Sequence, residues 1–181
     1  MDELGVESDL CKTDIADRAQ VQALADYAAS LGSVKQIIHT SGVSPSDTGT
    51  ENIIKINAVG AVNMVEAFYP VLAGDGVMIN FASVAAYTMP QTDEWTDAFE
   101  AWNEPDFYDR LLSHAHASEL IDNQPETAEN QLELIPAGRW GHPCEMGALT
   151  AFLCSSGAGY VNGVDILADG GQNAGIFVPQ I

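Results

Sequence analysis

Two short apolar runs flank one long apolar stretch of helical length, and this arrangement restricts the chain more than any other feature of its sequence. Residues 34–40 carry Ile37 and Ile38 at their centre and open into Ser41-Gly42-Val43-Ser44-Pro45, the pattern of a buried strand feeding a loop. Residues 51–72 are apolar around most of a helical circumference, as expected of a helix covered by a sheet on one side and by another helix or a partner subunit on the other. Residues 76–83 (GVMINFAS) form the clearest strand, bounded by Gly74-Asp75-Gly76 and ending in small residues. Strand, helix and strand in that order predict a right-handed βαβ unit of a parallel sheet. The loop after such a strand is a common ligand site.

The flanking segments are consistent with one α/β domain spanning 1–181. Asp17 and Gln20 have capping-box spacing, and Val21, Leu24, Ala28 and Leu31 then recur at helical intervals until Gly32, which predicts a surface helix with one packed face. From about 90 to 134 the composition changes. Trp95, Phe99 and Trp102 share a helical face, Pro105 breaks the run, and Phe107, Tyr108, Leu111 and Leu112 restart it among acids, so a helical insertion or lid is expected there. Residues 145–155 predict another helix with Met146, Leu149, Phe152 and Leu153 on its apolar side, followed by a strand at 163–168 and the turn Asp169-Gly170-Gly171.

Composition removes several function classes. The chain has 181 residues, 46% of them hydrophobic, enough for one ordinary core. Acids outnumber bases 26 to 6, and the formal charge of −20 opposes a nucleic-acid backbone or an anionic membrane surface. The apolar stretch 51–72 is interrupted by Lys55, Asn57, Asn63, Glu66 and Pro70, which excludes a transmembrane helix. Cys11, Cys144 and Cys154 are odd in number, without CxxC spacing or a preceding signal peptide. A reducing, cytoplasmic setting is therefore expected. His114 and His116, two apart, point about 200° apart on a helix and cannot share a metal; no metal is expected. Asp106 and Asp109 read as a solvated helix face. Ser83 is a poor hydrolase nucleophile, because Phe81 and Ala85 stand where G-x-S-x-G needs glycines.

Several motifs, in this order, resemble the short-chain dehydrogenase/reductase family, whose members hold a nicotinamide cofactor on a Rossmann-like three-layer sandwich. Thr13-Asp14-Ile15 resembles the family's Asp-plus-aliphatic pair that receives the adenine ring. His39-Thr40-Ser41-Gly42 occupies the place of its Asn-Asn-Ala-Gly motif, with only the Gly kept. Asn57 sits where the family has the helix Asn that holds a proton-relay water, and Ser83 ends the strand at its substrate-orienting serine. Pro136-Ala137-Gly138-Arg139-Trp140-Gly141-His142-Pro143, then Tyr160-Val161-Asn162-Gly163 and Asp169-Gly170-Gly171, closely resemble the family's C-terminal segment. The resemblance spans about 9–174, with 92–130 unmatched in detail. It implies Ser83 and Asn57 as catalytic positions, and Asp14, Ile15, Thr40, Ser41 and Gly42 as the cofactor side for NAD or NADP. The implied substrate is a small alcohol or carbonyl compound, and a homo-oligomer is expected. Without the resemblance, Asn57 reads as a polar residue bonded to neighbouring backbone, and Asp14 as a helix cap.

The pattern is incomplete. A Gly-rich turn after a first strand, which lets backbone approach the cofactor pyrophosphate, does not occur; Gly157, Gly159 and Gly163 follow a helix and are one residue too widely spaced. The family's acid/base is a Tyr with a Lys four residues later. Here Tyr27, Tyr69, Tyr87, Tyr108 and Tyr160 are followed at that spacing by Leu31, Ala73, Gln91, Leu112 and Val164, and Lys12, Lys35 and Lys55 all precede Ser83. A deletion between roughly His114 and Leu120 would explain this. Of the family strand order 3-2-1-4-5-6-7 the chain supplies candidates for 3, 4, 5 and 7, so the sheet is expected to be incomplete, with unpaired edges. Two functions follow as expectations: an NAD(P)-dependent oxidoreductase by descent, inactive as written, or a noncatalytic relative acting as a subunit or interaction module through the 51–72 helix.

Overall fold

The computed structural model describes residues 8–45, 47–88, 92–118 and 132–173. Their elements are α1 (Arg18–Leu31), β1 (Val34–His39), α2 (Thr50–Ile53), a π-helical segment (Ile54–Val59), α3 (Gly60–Phe68), a 3-10 turn (Tyr69–Val71), β2 (Leu72–Asn80), α4 (Ala85–Thr88), α5 (Asp93–Glu100), α6 (Phe107–Ser118), α7 (Pro143–Leu153) and a second 3-10 turn (Ser156–Ala158). The expected βαβ unit is present: β1 and β2 pair in parallel, with Ile37 opposite Met78, Ile38 opposite Ile79 and His39 opposite Asn80.

Local chemistry explains the boundaries. Asp17 caps α1, its carboxylate accepting from the amides of Ala19 and Gln20. The capping-box expectation holds only in part. Gln20 Oε1 accepts from Asp14 N, three residues before the cap, while Gln20 Nε2 donates to Asp17 Oδ2 at 2.8 Å. Strand β2 begins at Leu72 and ends at Asn80, where 76–83 was expected. Its pairing with β1 shifts register between Val34 and Gln36. Gly76 packs closely at that excursion, where a Cβ would lie 2.7 Å from Leu72 Cδ1 and 3.0 Å from Ala73 O, so that Leu72 would have to shift. Lys35 closes the same excursion with a salt bridge to Asp75.

Two apolar clusters lie on opposite sides of the 50–68 helix. The first joins Val21, Ala25 and Ile37 to Met64, Ala67 and Phe68. The second joins Ile54 to Ala98, Phe107, Leu111 and Ala115, with Ala58, Val59, Val62 and Trp95 packed against it. Phe107, Leu111 and Ala115 recur at four-residue intervals and form the buried stripe of α6. Helices α5 and α6 thus cover the helix, although residues 90–91 and 119–131 of the stretch expected to be an insertion lie outside the described residues. Its aromatic stripe divides. Trp95 packs on the second cluster and stacks on Phe99 with centroids 5.9 Å apart, whereas Phe99 and Trp102 remain about half exposed.

Three expectations are corrected. Residues 163–168 form no strand and residues 8–13 form none, because a ladder needs a neighbouring backbone and the sheet has two strands, β1 and β2, among the described residues. Helix α7 buries none of its residues, and Phe152 is about half exposed. Of the 51–72 helix, offered by sequence as an interface, Val65 is exposed but Ile54, Val59, Val62 and Phe68 are not; α5, α6 and the first cluster cover these four.

Candidate functional site

The loop following β1 and the turn following β2 lie side by side, because the ladder continues one step past the strands: Phe81 N donates to His39 O at 2.9 Å. On the first of these, Thr40, Ser41 and Gly42 are exposed. Asn57 grips the next residue with both ends of its amide. Its Oδ1 accepts from Val43 N at 2.9 Å and its Nδ2 donates to Val43 O at 2.8 Å. Gly42 lies beside Asn57, where a Cβ would make ordinary contact with Oδ1 at 3.4 Å. Asn57 sits in the π-helical segment, a wider turn that is frequent at functional sites. The structure thus shows the backbone-bonded reading of Asn57.

Ser83 lies three residues beyond the end of β2, where sequence placed it at the strand terminus. Its Oγ accepts from Ala85 N at 3.2 Å and its carbonyl from Ala86 N at 3.1 Å, so it starts the short helix α4. No hydrogen bond joins Ser83 to Asn57 among the described residues. Tyr87, at the other end of that turn, donates to Asp165 in the C-terminal segment. This tie was not apparent from sequence.

Ile15, next to Asp14, meets the 50–68 helix one to two turns past Asn57. Asp14 is exposed and forms a turn with Ala16 N at 3.0 Å, so Asp17 rather than Asp14 is the cap. Ile15 lies against Gly60, and its carbonyl accepts from Asn63 Nδ2 at 2.9 Å. His39 is 6% exposed, and its Nε2 has no hydrogen-bond partner among the described residues. It shares the face of Ile37, toward α1 and α3.

The tyrosines lack the cation that acid/base work needs. Tyr27 donates to Asp9 at 3.1 Å and Tyr87 to Asp165, and these hydrogen bonds push both phenols above their ordinary range. A phenol paired with a carboxylate is a weaker acid, the reverse of what proton transfer near neutrality requires. Lys55 does meet a tyrosine, but over the ring face of Tyr108 at 5.3 Å from its centroid. Two positions from Asn57 along the helix, it points nearly half a turn away.

The C-terminal motif is a folded scaffold. Arg139 holds Glu145 through two guanidinium hydrogen bonds of 2.8 and 2.7 Å, and Glu145 accepts from His142 N at 2.7 Å. The Arg139 guanidinium is the main reason that the Glu145 pKa is lowered to about 2. Asp169 accepts from Gly171 N and Asn173 N, both at 2.9 Å, closing the Gly-Gly turn over Pro136 and Ala137.

The order of these pieces is decisive when the chain is compared with known proteins. The short chain dehydrogenase family profile matches residues 1–94, and the enoyl-(acyl carrier protein) reductase profile matches residues 113–173. The chain belongs to the short-chain dehydrogenase/reductase family. The two matched intervals leave 95–112 between them, upstream of the 114–120 position expected for a deletion and narrower than the 92–130 stretch read as unmatched. Among curated relatives, this short-chain dehydrogenase is 29% identical over 189 residues to D-threitol dehydrogenase of Mycolicibacterium smegmatis, covering 87% of the chain and 70% of the relative. It is 27% identical over 186 residues to 2-dehydro-3-deoxy-D-gluconate 5-dehydrogenase of Bacillus subtilis, covering 86% of the chain and 72% of the relative. A short-chain dehydrogenase from Burkholderia cenocepacia in complex with NADP shares the fold, with a TM-score of 0.67 at 18% identity over 95% of this chain and 79% of that one.

The residues that the family resemblance assigns to the adenosine side of a nicotinamide cofactor are open to solvent at Asp14, Thr40, Ser41 and Gly42 and half-buried at Ile15. A glycine turn joining a strand to a helix for the pyrophosphate does not occur among the described residues; Gly157, Gly159 and Gly163 all follow α7, Gly157 within the 3-10 turn and the other two after it. No helix among the described residues is long and apolar enough to cross a membrane.

Proposed function

We propose that the chain is an NAD(P)-linked oxidoreductase by descent, of the class that interconverts a secondary alcohol and a carbonyl on a polyol or sugar-acid skeleton, and that it does not turn over as written. The Asn57 clamp on Val43, beside the strand that leads to Ser83, carries this reading. The polyol and sugar-acid class comes from the names of the relatives, which include a D-threitol dehydrogenase and a galactitol 2-dehydrogenase. A bound NAD or NADP would supply the hydride chemistry. Of the chain's own residues, Asp14, Ile15, Thr40, Ser41 and Gly42 would hold the adenosine side. Ser83 would orient the substrate oxygen through its hydroxyl, and Asn57 would fix the loop between them. Proton transfer lacks its group, since no tyrosine carries a lysine at the required spacing.

The test is a rate measurement with NAD and NADP on D-threitol and galactitol, together with an NADH titration. No turnover above background and only weak binding are expected. Turnover abolished by Ser83→Ala would overturn the inactivity, and a micromolar dissociation constant would overturn the weak binding.

A second reading, a noncatalytic subunit or interaction module, is favoured by the bare helix α7. Residues 146–164 carry no charged side chain in a chain of net charge −20, and Phe152, Tyr160, Val161 and Val164 on this stretch are exposed. The homo-oligomer reading moves with them, from the covered 50–68 helix to α7 and the strand edges. Light scattering at physiological salt tests it; a monodisperse 19.2 kDa species would refute it. A single domain with a helical insertion and a cytoplasmic setting accompany both readings, the latter supported by Cys11, Cys144 and Cys154 as free thiols.

A further inference from the structure

Helix α3 presents Gly60, Asn63 and Glu66, one turn apart, to the segment that leads into α1. Each makes a different contact. A Cβ on Gly60 would lie 2.8 Å from Ile15 Cγ1 and 2.9 Å from its Cδ1, so the missing side chain is what lets Ile15 reach the helix. Asn63 is 5% exposed and donates from Nδ2 to Ile15 O at 2.9 Å. Glu66 pairs with Arg18, the first residue of α1, at 2.9 Å. From the other side, Asp17 N donates to Asp14 O at 3.1 Å and Asp14 N to Gln20 Oε1 at 3.1 Å. Asp14 therefore stands between a turn that α1 organises and a carbonyl that α3 holds.

We propose that Asn63, with the space left at Gly60, is a positioning residue for Asp14 and Ile15, holding the pair in one place for an adenine nucleoside before any ligand arrives. The inference rests on the adenine-side reading of that pair. The physical argument is that a buried amide is costly to leave unsatisfied, so Asn63 keeps Ile15 docked, while Gly60 sets how closely it docks. Neither residue touches the nucleoside.

The test compares the full chain with Asn63→Leu, Gly60→Ala and the double variant Gly60→Ala/Ile15→Ala, using amide hydrogen exchange and titration with adenosine. Exchange at Ala16 and Asp17 should quicken roughly tenfold in each single variant, the size expected of one lost hydrogen bond, while Ala25 inside α1 keeps its protection. The double variant should regain protection, because the carbons obstructing the new Cβ are gone. Adenosine affinity should fall severalfold in both single variants. Unchanged exchange in both would overturn the anchoring. Faster exchange with unchanged adenosine affinity would overturn the positioning role. An unmodified chain that does not bind adenosine would overturn the adenine reading itself, and the exchange data would still decide the anchoring separately. Should Asn63→Leu fail to fold, the Gly60 and Ile15 variants carry the test, since they remove no buried polar partner.

Discussion

Gly170 and Ile135 are packed so closely that a Cβ at Gly170 would lie 2.7 Å from Ile135 Cγ2, and Gly170 also has a φ of +66°. Ala137 N donates to Gly170 O at 3.0 Å in the same contact. The Asp-Gly-Gly turn is thus a clasp between the C-terminal segment and the loop that leads to Arg139.

Gly170→Ala should destabilise the chain by about 1–3 kcal/mol, combining left-handed backbone strain with the steric conflict. Urea denaturation of the two proteins side by side checks this; equal midpoints would mean that the loop can yield.

Leu111 is 1% exposed at the centre of the cluster that docks α6 on the 50–68 helix. Leu111→Ala should cost about 2–5 kcal/mol through transfer and cavity terms. It should also raise self-association by loosening the cover over Ile54, Val59 and Val62. Thermal unfolding and sedimentation measure the two effects, and an unchanged Tm would show that the insertion contributes nothing to the core.

Asn57→Leu removes both hydrogen bonds to Val43 while approximating the side-chain volume. A loss of about 1–3 kcal/mol is expected, two bonds at the usual net contribution of each. The amide of Val43 should exchange faster than that of Ile37 in β1. Loss of stability with Val43 still protected would mean that the clamp does not hold the loop.

The Arg139–Glu145 pair sets an acid limit. Glu145 is lowered from the ordinary value of 4.5 to about 2, chiefly by the Arg139 hydrogen bonds. Between those values the unfolded chain binds more protons than the folded one, so the pair's stabilisation is present above about 4.5 and is lost as pH falls toward 2. Glu145→Gln should flatten the stability profile over that window and leave its neutral-pH slope unchanged. An identical acid slope in the variant would contradict the assignment. Solvent screening limits the size of the effect, since both side chains are about half exposed.

The parallel pairing of β1 with β2, the helix between them and the family itself were legible in the chain because they depend on local period and on short motifs. Val34–His39 and Arg18–Leu31 formed where the apolar spacing and the Asp17 cap put them. Ser83 was misplaced by three residues because the pairing with β1 stops at His39 and Asn80, while at its other end β2 begins earlier, at Leu72, and absorbs Gly74-Asp75-Gly76 as an irregular stretch of strand. Nothing in a two-residue period announces that.

Spacing alone determined which residues could share a helix face or strand, and which Tyr-Lys pairs could not exist on one helix. Tertiary structure decided who covers whom. Apolar residues report that they must be buried, not what buries them, so the 51–72 helix left a choice between a partner and the chain's own α5 and α6. Only the folded chain placed Leu111 there. Contacts between distant segments are invisible for the same reason: Asn63 and Ile15 lie 48 positions apart, and no local pattern encodes a hydrogen bond that exists only when two packed elements bring donor and acceptor together.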